Sequence, residues 1–140
     1  MAYKGFLDIN IMADFLDTDR KEHIAATALF SAIEKQKVKA YFSESVINTT
    51  GYVLRKIIEV DVFKILMDDL LEIIKVLPCT NETVKTAYLN AKNDLEDAVL
   101  YQIALNGKLD YFITNDNKDF QKIADKLLPI ISTANLLKLI

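Results

Sequence analysis

The sequence predicts an α/β protein: a three-layer α/β/α domain with a central, mainly parallel sheet of about five short strands. Three observations predict it. Short β-branched and aromatic runs alternate along the chain with stretches of helical apolar spacing. No proline-, glycine- or serine-rich linker interrupts that alternation, and 140 residues are enough for one domain with a sizeable core, so residues 1–140 are read as a single unit. Strands separated by helices imply βαβ units, whose right-handed crossovers bring every strand's carboxyl end to one edge. Ligands of such sheets bind in the crevice outside that edge.

The elements justify themselves in order. Tyr3-Lys4-Gly5-Phe6-Leu7-Asp8 reads as a buried strand ending on a carboxylate, and Ile9 to Leu16 as one or two apolar helical turns. Asp17-Thr18-Asp19 offers an N-cap for a helix from about Arg20 to Gln36, with Ile24, Ala28, Leu29, Ala32 and Ile33 as its buried face. Val38 to Ser43 is a second strand, and Ser43 or Glu44 opens a helix to about Ile58. Asp61 caps the next helix, to about Lys75, along a stripe of Val62, Leu66, Leu70 and Ile73. Val76-Leu77-Pro78 is a short strand stopped by its proline.

Asn81-Glu82-Thr83 then starts a helix to about Lys92, and Asp94 starts another to Asn106, closed by Gly107. Asp110 to Thr114 is a strand, followed by a turn at Asn115-Asp116-Asn117 and a helix from about Lys118. Pro129 to Ile131 is the last strand, and Thr133 caps the terminal helix.

Composition narrows the function classes. The chain is 51% apolar and 26% charged, as soluble globular proteins are. No apolar run approaches the ~18 residues that span a bilayer, and no signal peptide opens the chain. Cys79 is alone, which fits a reducing, cytoplasmic setting. A net charge of −3 and a pI near 5.2 argue against a basic surface that coats nucleic acid. An acidic nuclease centre stays compatible with that charge. A glycine-rich phosphate loop is absent, which excludes nucleotide binding of that type.

The informative residues are acids that fall on the predicted carboxyl edge. Asp8 ends the first strand, Asp116 lies two residues past Thr114, and Asp94 and Asp97 share one helical face with Glu96 pointing elsewhere. Carboxylates crowded together repel unless a hard cation sits between them, and Mg²⁺ or Mn²⁺ suits such oxygen donors. A divalent ion lowers the pKa of a bound water and stabilises charge on a phosphoryl oxygen. His23 and Cys79 are isolated, so zinc is not indicated.

Blander explanations exist for some of these acids. Asp94 is a good N-cap and Asp116 sits where turns favour Asp, whereas Asp8 has no capping explanation as strong. Arg55 and Lys56 could meet phosphate, although an exposed helix end explains them too. Tyr41, Phe42, Tyr52, Tyr101 and Phe112 are assigned to the core, Asp68-Asp69 to a solvated face, and His23 to a helix boundary.

Four ordered blocks resemble the PIN domain family, which includes the VapC-like toxin ribonucleases of toxin–antitoxin pairs. They are Phe6-Leu7-Asp8-Ile9-Asn10-Ile11, the segment Ser43 to Lys56, Asp94-Leu95-Glu96-Asp97-Ala98, and Ile113-Thr114-Asn115-Asp116-Asn117-Lys118-Asp119-Phe120. The resemblance implies a parallel sheet with helices on both faces, one or two Mg or Mn ions, and cleavage of single-stranded RNA. It also implies a small antitoxin as partner, and a homodimer. Asp8 matches the first metal-binding acid, Asn10 the polar residue after it, Asp97 the third acid and Asp116 the fourth. Asp119 matches an acid that some members use instead, and Thr114 a hydroxyl common at that strand's end. The second acid, a Glu about six residues after the strand-ending Ser43, is replaced by Thr49. Glu44 is the nearest acid and lies a helical turn or more away.

The leading expectation is therefore a Mg- or Mn-dependent endoribonuclease with Asp8, Asp97 and Asp116 as ligands, joined by Asp94 and Asp119. The alternative is a PIN-like module that has lost catalysis and binds protein or RNA. An aspartate-based phosphotransferase fits least, because it needs an acid where Asn10 stands.

Overall fold

A computed structural model describes residues 2–140. The elements run β1 (Tyr3–Leu7), α1 (Ile9–Leu16), α2 (His23–Glu34), β2 (Val38–Phe42), α3 (Glu44–Val53), α4 (Val60–Leu70) and β3 (Ile74–Val76). They continue with α5 (Asn81–Asn90), α6 (Leu95–Asn106), β4 (Tyr111–Ile113), α7 (Asn117–Gln121), β5 (Ile130–Ile131) and α8 (Thr133–Leu137). The strands form one sheet in the order β3-β2-β1-β4-β5, and every pairing is parallel. From β1 the chain works outward through β2 and β3, then returns to β1's other side for β4 and β5. The order reverses between β1 and β4, which is where such sheets open a crevice.

Burial shows why both faces must be covered. Successive strand residues point to opposite faces, yet Phe6 and Leu7 are both fully buried, as are Phe112 and Ile113. On one face Phe6 stacks on Phe112 at 5.3 Å, and Phe112 meets Phe120 of α7 at 4.5 Å and Tyr101 of α6 at 5.5 Å. A Cβ at Gly5 would collide with Cδ1 of Ile113 on the neighbouring strand, so the packing of that buried side chain over β1 favours a glycine there.

Several boundaries and faces differ from the sequence reading. Helix α2 starts at His23, because Asp17 instead accepts the Asp19 N–H and faces Arg20 at 3.7 Å. Its buried face is Ala26, Leu29, Phe30, Ala32 and Ile33, so Leu29, Ala32 and Ile33 stand as expected while Ile24 is 84% exposed. In α4 the cap position is Glu59, and Met67 and Leu70 are buried while Val62 and Ile73 are exposed. Strand β3 starts at Ile74 and ends before Leu77-Pro78. Gly107 does close α6, but Lys108 after it takes the left-handed conformation, with φ of 55°. Tyr52 is exposed and carries the Arg55 guanidinium 3.9 Å from its ring centre, so it is not a core aromatic.

Candidate metal centre at the carboxyl edge

Strand register lines up the site. Leu7 pairs with Ile113 and Phe6 with Tyr41, and extending each ladder by its next steps sets Asp8 beside Thr114 and level with Ser43. Asp8 is nearly fully buried. One carboxylate oxygen accepts the Thr114 hydroxyl at 2.8 Å, and the other accepts the Ile9 N–H at 2.8 Å. Asp8 is thus the N-cap of α1, a capping role that the sequence reading denied it.

Thr114 does two jobs. Its hydroxyl donates to Asp8 and accepts the Asp116 N–H at 3.0 Å, tying the loop after β4 to the strand-end acid. Asn115 braces the same loop by accepting the Thr133 N–H at 3.1 Å at the start of α8. From the other side comes α6, with Asp94 as its N-cap, accepting the Asp97 N–H at 3.0 Å.

The electrostatics place the acids within reach of one another. Burial pushes Asp8 up to about 6 against the lowering effect of its Thr114 and Ile9 hydrogen bonds, and Asp116 and Glu96 add repulsion. Burial also pushes Asp97 up, to about 7, aided by repulsion from Asp94, Asp8, Asp116 and Asp119. Asp116 is raised by burial and by Asp119 beside it.

Other candidates stand apart. Asn10 is exposed on α1, one residue past the capping pair. Glu44 is exposed in the first turn of α3 and is not among the acids that raise Asp8, Asp97 or Asp116. Thr49 is half-buried on the same helix. Arg55 and Lys56 are exposed in the turn that follows α3, and Arg55 donates to the Tyr52 carbonyl at 2.7 Å.

One buried acid went unnoticed in the sequence. Asp14 on α1 lies 3.5 Å from Arg20, and burial raises its pKa against the pull of Arg20 and a hydrogen bond from Asn115. Its only sequence signal was a charge inside the apolar run Ile9 to Leu16.

Among the described residues no three acid, imidazole or thiol side chains are already drawn together tightly enough to enclose an ion. The chemistry of the donor set nonetheless fits a hard divalent cation. Every candidate is a carboxylate, and Asp8, Asp97 and Asp116 have raised pKa values that a cation would bring down.

Comparison with known families decides the relationship. The PIN domain family profile matches residues 4–118. The chain belongs to the PIN domain family. Among solved structures, this PIN domain is similar to Mycobacterium tuberculosis VapC20, described as a Sarcin-Ricin loop cleaving toxin, with a TM-score of 0.68 and 14% identity. That match covers 84% of this chain and 93% of the other. It is also similar to VapBC2 from Rickettsia felis bound to a DNA fragment from their promoter, with a TM-score of 0.66 and 15% identity over 92% of this chain and 98% of that one. At those identities the likeness is one of fold. No curated protein matches the sequence.

Proposed function

We propose that this PIN domain is a Mg- or Mn-dependent endoribonuclease that hydrolyses single-stranded RNA at the carboxyl edge of its sheet. The observation that carries the reading is the buried carboxylate of Asp8 at the switch point between β1 and β4, tied through Thr114 to the loop that bears Asp116, and the repulsion that Asp97 feels from both acids supports it. The similarity in fold to VapC toxins supports the toxin role in a toxin–antitoxin pair, with a small antitoxin and a second copy of the chain as partners. Among the described residues no helix is long and apolar enough to cross a membrane, and the proposed setting is the cytoplasm.

When bound, the ion supplies a water of lowered pKa and neutralises charge on the phosphoryl oxygen. Asp8, Asp97 and Asp116 would hold it, with Asp94 and Asp119 at the margin. Thr114 keeps the Asp8 carboxylate in one orientation and fixes the Asp116 backbone, so first and fourth acids move as a unit. Burial, aided by the neighbouring acids, pushes Asp97 up to about 7, so binding a cation near neutral pH releases protons.

The test is cleavage of a labelled single-stranded RNA in Mn²⁺ by the wild type and by Asp97→Asn. The variant should fold and lose at least two orders of magnitude of rate, in line with the electrostatic weight of a site ligand. Equal cleavage by the two proteins would refute the assignment. No cleavage by either, with no Mn²⁺-dependent rise in Tm, would favour the binding module that the threonine at position 49 suggests.

A further inference from the structure

Two cavities meet beside the acids, and the ridge between them carries two lysines. The first, about 180 Å³, is lined by Lys92, Asp94, Asp97, Asp119 and Lys122. The second, about 310 Å³, lies against α5, α6 and the segment after α7, where Asn90, Gln102 and Asp125 join the same Lys92 and Lys122. Its size is at the lower end of the ~300–1,000 Å³ of small-molecule sites.

Both lysines share a cavity with three aspartates, yet among the described residues neither makes an ion pair within 4.0 Å. Their ammonium groups are therefore available to another anion. A polyanion approaching a chain of net charge −3 meets repulsion from the acids, and cations at the mouth of the site offset it.

We infer that Lys92 and Lys122 hold the phosphodiester backbone of the RNA strand next to the cleaved bond, and that the larger cavity takes the adjoining nucleotide. This rests on the ribonuclease reading above and adds the path of the strand. Bases in single strands are free to turn into a side cavity, where the exposed amide of Asn90 can meet a base edge. Phosphate contact by two lysines is sequence-tolerant, so the ridge sets position rather than sequence preference.

The experiment measures binding apart from cleavage. A fluorescein-labelled single-stranded RNA is titrated in EDTA, by anisotropy, at several salt concentrations. Single strands lose about 0.7 in the slope of log K against log salt per neutralised phosphate. Lys92→Gln and Lys122→Gln should each reduce the slope by about that amount, and the double variant by about 1.4. The Lys92→Arg/Lys122→Arg protein should keep it, and Lys37→Gln, at the amino end of β2 on the opposite edge, should not change it. A double glutamine variant with wild-type Tm and wild-type slope overturns the inference. If that variant keeps the wild-type slope while cleavage depends on Asp97, the strand path falls and the nuclease reading stands. A lysine-dependent slope in a wild type that never cleaves gives the reverse. A wild type that binds no RNA removes both.

Discussion

Replacing Asp8 by Asn should stabilise the metal-free protein at pH 8 and destabilise it at pH 4. The Asp8 carboxyl rises from an ordinary 3.8 to about 6 on folding. Between those values the folded chain binds a proton that the unfolded chain has released, so stability falls as pH rises through that window. Above it the full cost, about 3 kcal/mol at 1.36 kcal/mol per pH unit, persists. Asparagine carries no charge and escapes this. It has one acceptor oxygen, however, where the carboxylate accepts from both Thr114 and Ile9, and losing one such bond costs about 1 kcal/mol. The variant should therefore gain about 2 kcal/mol at pH 8 and lose about 1 kcal/mol at pH 4. For a chain of this size the gain is a rise in Tm of about 8 °C at the higher pH. Thermal melts followed by circular dichroism in EDTA at the two pH values measure it. An offset of the same sign and size at both would refute the buried-carboxylate account. Adding Mn²⁺ should reverse the ranking at pH 8, since a ligand at a hundredfold its Kd stabilises the native state by about 2.7 kcal/mol and the variant forfeits it.

Other perturbations probe the frame around that acid. Thr114→Val keeps the shape but removes the donor to Asp8 and the acceptor for the Asp116 N–H, so it should cost about 1–3 kcal/mol in denaturant melts, with a larger penalty above pH 6. Gly5→Ala forces β1 from β4 at the Ile113 side chain and should cost about 1–3 kcal/mol, with weaker Mn²⁺ binding because Asp8 and Thr114 end those two strands. Lys108→Gly relieves a left-handed backbone and should raise stability by about 0.5–1 kcal/mol, read as a higher urea midpoint at unchanged slope. Thr49→Glu returns a carboxylate to the position where the family carries its second acid, and calorimetry should show tighter Mn²⁺ binding; equal or weaker binding would place α3 outside the metal centre.

What the sequence disclosed divides along physical lines. The alternation of strands and helices, the limits of α1 and the start of α6 at Asp94 are local signals, and the structure carries them. The buried face of α2 was legible at Leu29, Ala32 and Ile33, but Ile24 and Ala28 also suit an apolar stripe and packing uses Ala26 and Phe30 in their place. In α4, where both faces hold apolar residues, Leu70 is buried as expected and Met67 joins it, whereas Val62 is exposed. Parallel topology accounts for Asp8 and for the loop that carries Asp116, both of which follow strand ends, whereas Asp97 belongs to α6 and reaches this edge only through the packing of that helix. The double use of Thr114, the Asn115 brace and the buried Asp14 depended on which rotamers the packing selects, and no spacing in the chain encodes those.

The same edge that gathers acids also gathers helix starts. Asp8, Ser43, Asp94, Asp116 and Ser132 stand at the N-cap positions of α1, α3, α6, α7 and α8; Asp8, Ser43 and Ser132 directly follow a strand's carboxyl end, and Asp116 comes two residues later, after Thr114 and Asn115. Each helix N-terminus favours a nearby negative charge by about 0.3–1 kcal/mol. That is less than the roughly 3 kcal/mol that the raised Asp8 pKa represents, so burial wins there and the Asp8 carboxyl remains hard to ionise. Caps alone would be served as well by serine, asparagine or threonine, which carry no charge to desolvate. A fold that keeps aspartate at these positions bears a cost that a cation would relieve. The stability lost at this edge is thus the counterpart of the metal binding proposed for it.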